Sequence, residues 1–217
     1  MIHRQLINKI KLKLKDPLPG EDVQYLMAPV NRGKYNLQAL KKENFKPGAV
    51  MIVICIDEAG NFFIPLTQRY TYDGAHSGQV SLPGGKFDDA DINLTNTALR
   101  ECYEEIGIAA NQIEILGCLS PLFIPVSKFL VQPVVGFCGD KNISFKKDKR
   151  EVKKIVRLFL TDLMNEKINK RGLIEIKMGE EIKAPYFEVE GLSVWGATAM
   201  ILNEFKFVLK TIWNFEE

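Results

Sequence analysis

Histidine is nearly missing from this chain: His3 and His76 are the only two in 217 residues. That argues against a zinc centre built on clustered histidines. The four cysteines, Cys55, Cys102, Cys118 and Cys138, stand at wide, irregular spacing with no CxxC pair. Such spacing gives no disulfide frame and implies reduced thiols in a cytoplasmic compartment. Net charge is also slight, 29 Lys and Arg against 27 Asp and Glu, or +2. No strong field for a nucleic acid or a membrane follows from it. The basic run KKDKREVKK therefore reads as a solvated loop rather than an RNA contact. No run of about 18 apolar residues exists, so no transmembrane helix is expected. Repeats and low-complexity segments are absent. The N-terminus, MIHRQLINKIKLKLK, has no acidic residue before Asp16. It also lacks the apolar core, about 7–15 residues long, of a secretory signal. Ile2, Leu6, Ile7, Ile10 and Leu14 fall on one helical face. The expectation is a helix packed on the body and ended by the Pro17–Pro19–Gly20 break, with a targeting or membrane-surface helix as the competing reading.

The rest is an ordinary globular composition, 46% hydrophobic and 26% charged. It predicts an N-terminal helical extension over residues 1–30 and one domain over residues 31–217. Ala49 to Ile56 is a continuous apolar, β-branched run, read as a buried strand. Phe62 to Arg69 follows as its hairpin partner, with Pro65 marking an edge or a bulge. Pro83-Gly84 has the residues of a type II turn. Thr95 or Asn96 is expected to cap a helix running to Ile106, with Ala98, Leu99, Cys102 and Ile106 on its apolar side and Gly107 as C-cap. Two or three strands follow before Cys138, then a strand over Ile155 to Leu160, a short helix, two strand-like segments (LIEIKM and APYFEV), and a long apolar helix over Gly191 to Trp213. Strands and helices in this order predict an α/β fold, layered α/β/α around a mixed sheet.

ALRECYEEIGI, Ala98 to Ile108, puts three carboxylates on the middle helix. Glu101 and Glu105 lie about 40° apart around the axis, and Glu104 about 60° to the other side of Glu101. Like charges at this spacing cost only about 0.2–0.5 kcal/mol, so a solvated acidic face is the competing reading. The Pro83-Gly84-Gly85 loop, just before the helix, can turn a backbone carbonyl towards it. Carbonyl and carboxylates make an oxygen-only set suited to Mg²⁺ or Mn²⁺, and Mg²⁺ completes its shell with substrate phosphates. This points to phosphoryl chemistry. Arg100, four residues before Glu104, can pair with it. An EF-hand over residues 89–100 fails, because Leu94 and Arg100 stand where Gly and Glu are required.

GGKFDDADINLTNTALRECYEEIGI resembles the Nudix box. Gly85, Asp91, Arg100, Glu101, Cys102, Glu104, Glu105, Gly107 and Ile108 hold its positions. Asp91 stands where the general family has Glu, and the gap to Arg100 is one residue longer than usual. That gap, with GGKxD at its front, is similar to the coenzyme A pyrophosphatase branch. Upstream, LTQRYTYDGAHSGQVSLPGG resembles that branch's second signature at Thr67, Arg69, Gly78, Pro83, Gly84 and Gly85, and departs from it at Tyr70, Gly74 and Leu82. The likeness covers roughly Ala49 to Leu202.

The resemblance implies a Nudix-like α/β/α sandwich with a mixed β-sheet, preceded here by the N-terminal helix. It implies metal-dependent hydrolysis of coenzyme A or acyl-coenzyme A to 3′,5′-ADP and (acyl-)4′-phosphopantetheine. Other nucleoside diphosphate derivatives such as ADP-ribose or NADH, and a non-catalytic ligand-sensing role, are the alternatives. Carried onto this sequence, Gly85 through its carbonyl and Glu101, Glu104 and Glu105 hold Mg²⁺ or Mn²⁺. Glu101, Glu104 and Arg100 are the catalytic group, with Glu151 open as a further general base. Arg69, His76, Lys86 and Lys128 are the substrate-binding candidates, and Phe123, Phe129 and Tyr72 the candidates to stack on adenine. The partner is a small nucleoside diphosphate, with no nucleic acid and no membrane, and the oligomeric state, a homodimer included, is open.

Overall fold

The computed structural model describes residues 2–33, 45–70, 78–177 and 180–213. Its spine is β1 (Lys46–Ile56), paired in parallel with β7 (Phe129–Cys138) from Lys46↔Phe129 to Cys55↔Cys138. β5 (Glu114–Cys118) and β6 (Leu122–Ile124) pair antiparallel with β7. On its other side β1 begins the expected hairpin with β2 (Phe62–Arg69), but only Cys55↔Phe63 and Ile56↔Phe62 are in register. The strands part where Pro65 approaches, and proline has no N–H to give to a ladder. The edge of β1 freed in this way is taken by β4 (Gly84–Lys86), opposite Gly48, Ala49 and Val50, and by the Pro83 carbonyl, which accepts from Met51 N at 2.8 Å. β2 runs on beside β3 (Val80–Ser81) and β8 (Val152–Phe159). Among the described residues these strands form one mixed, eight-stranded sheet.

Alternation along β1 makes the layers. Ala49, Met51, Val53 and Cys55 face Ala98, Cys102 and Ile106 of helix α3 (Leu94–Ile106). Ile52 and Ile54 face the opposite layer, which holds α1 (Ile2–Lys13) and α5 (Gly196–Lys210). Period two along a strand, against 3.6 along a helix, is what lets one strand serve two helical layers. The short helices α2 (Glu21–Gln24) and α4 (Leu160–Met164) pack around α5. In α1, Ile7 and Ile10 are fully buried. A separate antiparallel sheet holds β9 (Asn169–Lys177), β10 (Glu180–Val189) and β11 (Leu192–Trp195), in the order β11-β10-β9.

Three boundaries differ from expectation. Asn93, rather than Thr95 or Asn96, caps α3, its side chain accepting from Asn96 N at 3.1 Å. The segment Gly191 to Trp213 is not one helix: Gly191 and Gly196, at φ 75° and 62°, bracket strand β11 before α5 starts. The strand expected over Ile155 to Leu160 starts earlier, at Val152, and Leu160 already belongs to α4. Gly107 ends α3 as expected, left-handed at φ 81°, with its N–H on Tyr103 O at 2.9 Å. No helix among the described residues is long and apolar enough to cross a membrane.

Candidate active site

Pro83-Gly84 is not the expected type II turn: Gly84 has no positive φ and lies with Gly85 in β4. Close approach is what requires glycine here. A Cβ on Gly84 would lie 2.6 Å from Val50 Cγ1, and one on Gly85 would lie 2.5 Å from Glu101 Cδ. The pair lets the backbone of β4 sink between β1 and α3, and the Glu101 carboxylate rests against Gly85.

Arg100 organises the acidic face. Its Nε and Nη2 donate to the two oxygens of Asp91, both at 3.0 Å. Its Nη1 donates to Glu101 at 2.7 Å and Glu104 at 3.3 Å, and Nη2 also reaches Lys86 O at 3.0 Å. The predicted Arg100–Glu104 pair is present, but the fork on Asp91 is the stronger bond because it is bidentate. Asp91 also accepts from Thr97 Oγ1 at 2.9 Å and Asp88 N at 3.1 Å. The Arg100 guanidinium holds the Asp91 carboxyl down at about pH 2. Aspartate is one methylene shorter than glutamate. The loop before α3 folds back through Asp91 N on Asp88 O, at 2.9 Å, to deliver it.

Glu105 is the most deeply placed of the three glutamates, 5% exposed. It accepts from Thr67 Oγ1 at 3.0 Å and Gly84 N at 3.3 Å. Burial outweighs these bonds and pushes its pKa up to about 7. Glu101 is also raised, first by burial and then, against Arg100, by the charges of Glu104 and Glu151. Glu104 is half exposed. Glu151 pairs with Arg69 at 3.3 Å. The loop that brings it there also closes the end of α3: Lys146 N donates to Ile106 O and Asp148 N to Glu105 O, both at 3.0 Å. These are the carbonyls that a helix terminus leaves unpaired, so the basic run has a capping role at its start.

Five carboxylates (Asp91, Glu101, Glu104, Glu105 and Glu151) thus face two guanidiniums, Arg69 and Arg100. Among the described residues, no three His, Cys, Asp or Glu side chains are already gathered around one point. Arg100 draws Glu101 and Glu104 aside, and Thr67 and Gly84 hold Glu105. The donors are all oxygen and negative charge is in excess, which fits a hard divalent cation.

The other sequence candidates are spread out. The side chain of Lys86 is exposed while its carbonyl serves Arg100. Lys128 lies in the β6–β7 turn at φ 55°, its carbonyl accepting from Lys46 N, and among the described residues no bond joins it to the carboxylates. Phe123 is buried, and Phe129 packs against the core with the Lys46 ammonium over its ring. His76, Tyr72 and Gly74 lie outside the described residues. Sequence reasoning gave no role to Thr67 beyond a motif match. Its grip on Glu105 spans 38 residues and has no local signal. The tie between Asp91 and Arg100 had one: an acid and a base at the two ends of the motif's gap.

Comparison with known proteins agrees with this geometry. Residues 46–190 match the NUDIX domain family. A Yersinia enterocolitica protein, described as uncharacterized Nudix hydrolase NudL, is 35% identical over 162 residues, 74% of this chain and 80% of that protein. Nudix hydrolase 15, mitochondrial, of Arabidopsis thaliana is 33% identical over 167 residues, 74% of this chain but only 58% of the plant protein. The crystal structure of RenU, a Nudix hydrolase from M. smegmatis, superposes with a TM-score of 0.52 over 88% of this chain and 98% of that one. At 13% identity that likeness shows the fold alone. The carboxylate helix, the glycine strand against it and the sheet that positions both all fall within the matched residues, and the chain belongs to the Nudix family of hydrolases.

Proposed function

We propose that this Nudix hydrolase cleaves the diphosphate bond of coenzyme A or an acyl-coenzyme A, giving 3′,5′-ADP and 4′-phosphopantetheine or its acyl form. The coarser reading, hydrolysis of a nucleoside diphosphate derivative, comes with the family. One observation supports the finer one. The residues of the second signature bear on the carboxylates themselves: Thr67 and Gly84 bond Glu105, Arg69 pairs with Glu151, and Gly85 makes room for Glu101. The longer gap is used as well, since its loop carries Asp91 back to Arg100.

Glu101, Glu104, Glu105 and the Gly85 carbonyl would hold Mg²⁺ or Mn²⁺. When bound, the ion neutralises diphosphate oxygens and lowers the pKa of a water. Arg100 fixes where Glu101 and Glu104 stand, and Asp91 fixes Arg100. Arg69 and the exposed Lys86 ammonium supply positive charge for the phosphates. Attack by water on one phosphorus breaks its bond to the bridging oxygen, which leaves with the other phosphate. The water's proton passes to a carboxylate of the group. Glu101 is pinned between Arg100 and Gly85, whereas Glu104 and Glu151 are more than half exposed, 53% and 58%.

The test is incubation of the purified protein with coenzyme A, ADP-ribose and NADH, each with Mg²⁺ or Mn²⁺, beside the Glu105→Gln variant. Metal-dependent release of 3′,5′-ADP from coenzyme A, lost in the variant, is expected. Turnover of ADP-ribose or NADH alone keeps the Nudix chemistry and removes the coenzyme A reading, with Gly74, in place of the branch's arginine, the first suspect.

A further inference from the structure

We propose that two copies of this chain pair along the outer edges of strand β9 to form a twofold homodimer. β9 is bonded to β10 on one side, and among the described residues no strand pairs with its other edge. Two observations show which backbone groups that edge presents. Pro185 stands opposite Arg171 and has no N–H to give. Lys183 stands opposite Leu173, and its carbonyl accepts from Val30 N at 3.1 Å, on the side of β10 away from β9. In an antiparallel ladder, facing residues alternate between pairs that exchange two bonds and pairs that exchange none. Lys183–Leu173 and Pro185–Arg171 are therefore the unbonded kind, and the N–H and C=O groups of Arg171 and Leu173 point outward. Their side chains share the exposed face with Glu175, Leu173 being 64% exposed, while Ile174 on the other face is 8% exposed.

The edge is complementary to itself. Leu173 is the midpoint of Asn169–Lys177. An antiparallel pairing about that point sets Leu173 against Leu173 of the second copy, exchanging two backbone bonds. It also sets Arg171 against Glu175 of the second copy, and the reverse, so that two opposite-charge pairs flank the leucines. Neighbouring registers lose this match. One puts Arg171 opposite Lys177, another removes both charge pairs, and centring on Arg171 or Glu175 brings like charges together. An exposed edge strand is normally guarded against pairing by its charges. Here the same charges select one register and one partner, a second copy. The result is a continuous antiparallel sheet ordered β11-β10-β9-β9-β10-β11, remote in sequence from the carboxylates of α3.

Sedimentation velocity of the full chain over a concentration series tests this. The wild type is expected to dimerise. Arg171→Glu and Glu175→Arg, each creating two like-charge pairs, should each raise the dissociation constant by about tenfold or more. The double variant, Arg171→Glu with Glu175→Arg, should restore it. Unchanged far-UV circular dichroism and hydrolytic rate confirm that the exposed substitutions leave the fold intact. A wild type that is monomeric at every concentration overturns the proposal. So does a dimer that ignores either single reversal or is not restored by the double one, since it then uses another surface.

Discussion

Gly85 has room for a hydrogen atom and nothing larger on the side that faces Glu101. Its backbone is ordinary strand, so alanine suits the local conformation, and only the carboxylate would have to move. A displacement of about an ångström in a catalytic group can cost roughly a hundredfold in rate. Gly85→Ala is therefore expected to lose about two orders of magnitude in kcat while its melting temperature stays close to the wild type, read by steady-state hydrolysis and a thermal melt. A loss of folding instead would place the glycine's role in the sheet. At this scale the three glutamates were legible because helical period alone puts them in one arc. Thr67 was not legible as a partner of Glu105, nor Lys86 O as one of Arg100, because each contact joins residues on different elements. The cap was misplaced for a related reason. Asn93, Thr95 and Asn96 all have capping side chains, and the neighbouring Asp91–Thr97 bond selects among them.

Elements meet through apolar faces first and ion pairs second, and α1 shows the proportion. It buries Ile7 and Ile10 in the core, while Arg4 and Lys11 reach Glu114 at 2.7 and 2.8 Å near the surface. Truncating a buried isoleucine costs about 2–5 kcal/mol, whereas a surface pair contributes about 0–1 kcal/mol. Ile7→Ala should thus lower unfolding stability severalfold more than Glu114→Gln, as measured by urea denaturation. The ion pairs have a pH signature of their own. Lys11, then Arg4, hold the Glu114 carboxyl below its ordinary 4.5. Their contribution is present above that value and is lost as pH falls through the depressed one. Glu114→Gln should remove that acid-side slope and lower neutral-pH stability by the same small amount, no more than about 1 kcal/mol. Pro65 was legible as a disturbance within its strand. That the disturbance opens the β1 edge for the glycine strand depends on where β4 lies.

The whole molecule is tied together by a buried carboxylate in the layer opposite α3. Glu204 of α5 is fully buried and accepts from Gln24 Nε2 at 2.8 Å, Gly20 N at 3.1 Å and Ser120 N at 3.4 Å. One side chain thus holds the segment after α1, the connection from β5 to β6 and the C-terminal helix. Asn203 adds a bond to Val23 O at 2.6 Å. Each buried donor left without a partner costs about 1–3 kcal/mol. Glu204→Ala is expected to lose at least about 3 kcal/mol in urea unfolding, and Glu204→Gln, which keeps one acceptor, clearly less. Equal losses would mean that cavity formation dominates.

By itself the sequence determined what is periodic or local: the long strands β1 and β2, the carboxylate arc of α3 with its stop at Gly107, and the family's chemistry, whereas the glycine strand β4 read as a turn. Tertiary structure alone decided which groups those elements bring together. It shut Glu105 away beside Thr67, set Arg100 across Asp91, Glu101 and Glu104, and buried the polar residues of a helix that reads as merely apolar. Periodicity acts over a few residues, whereas contacts spanning 38 residues to Thr67, or 180 to Gln24, exist only once the order of strands has fixed which faces meet.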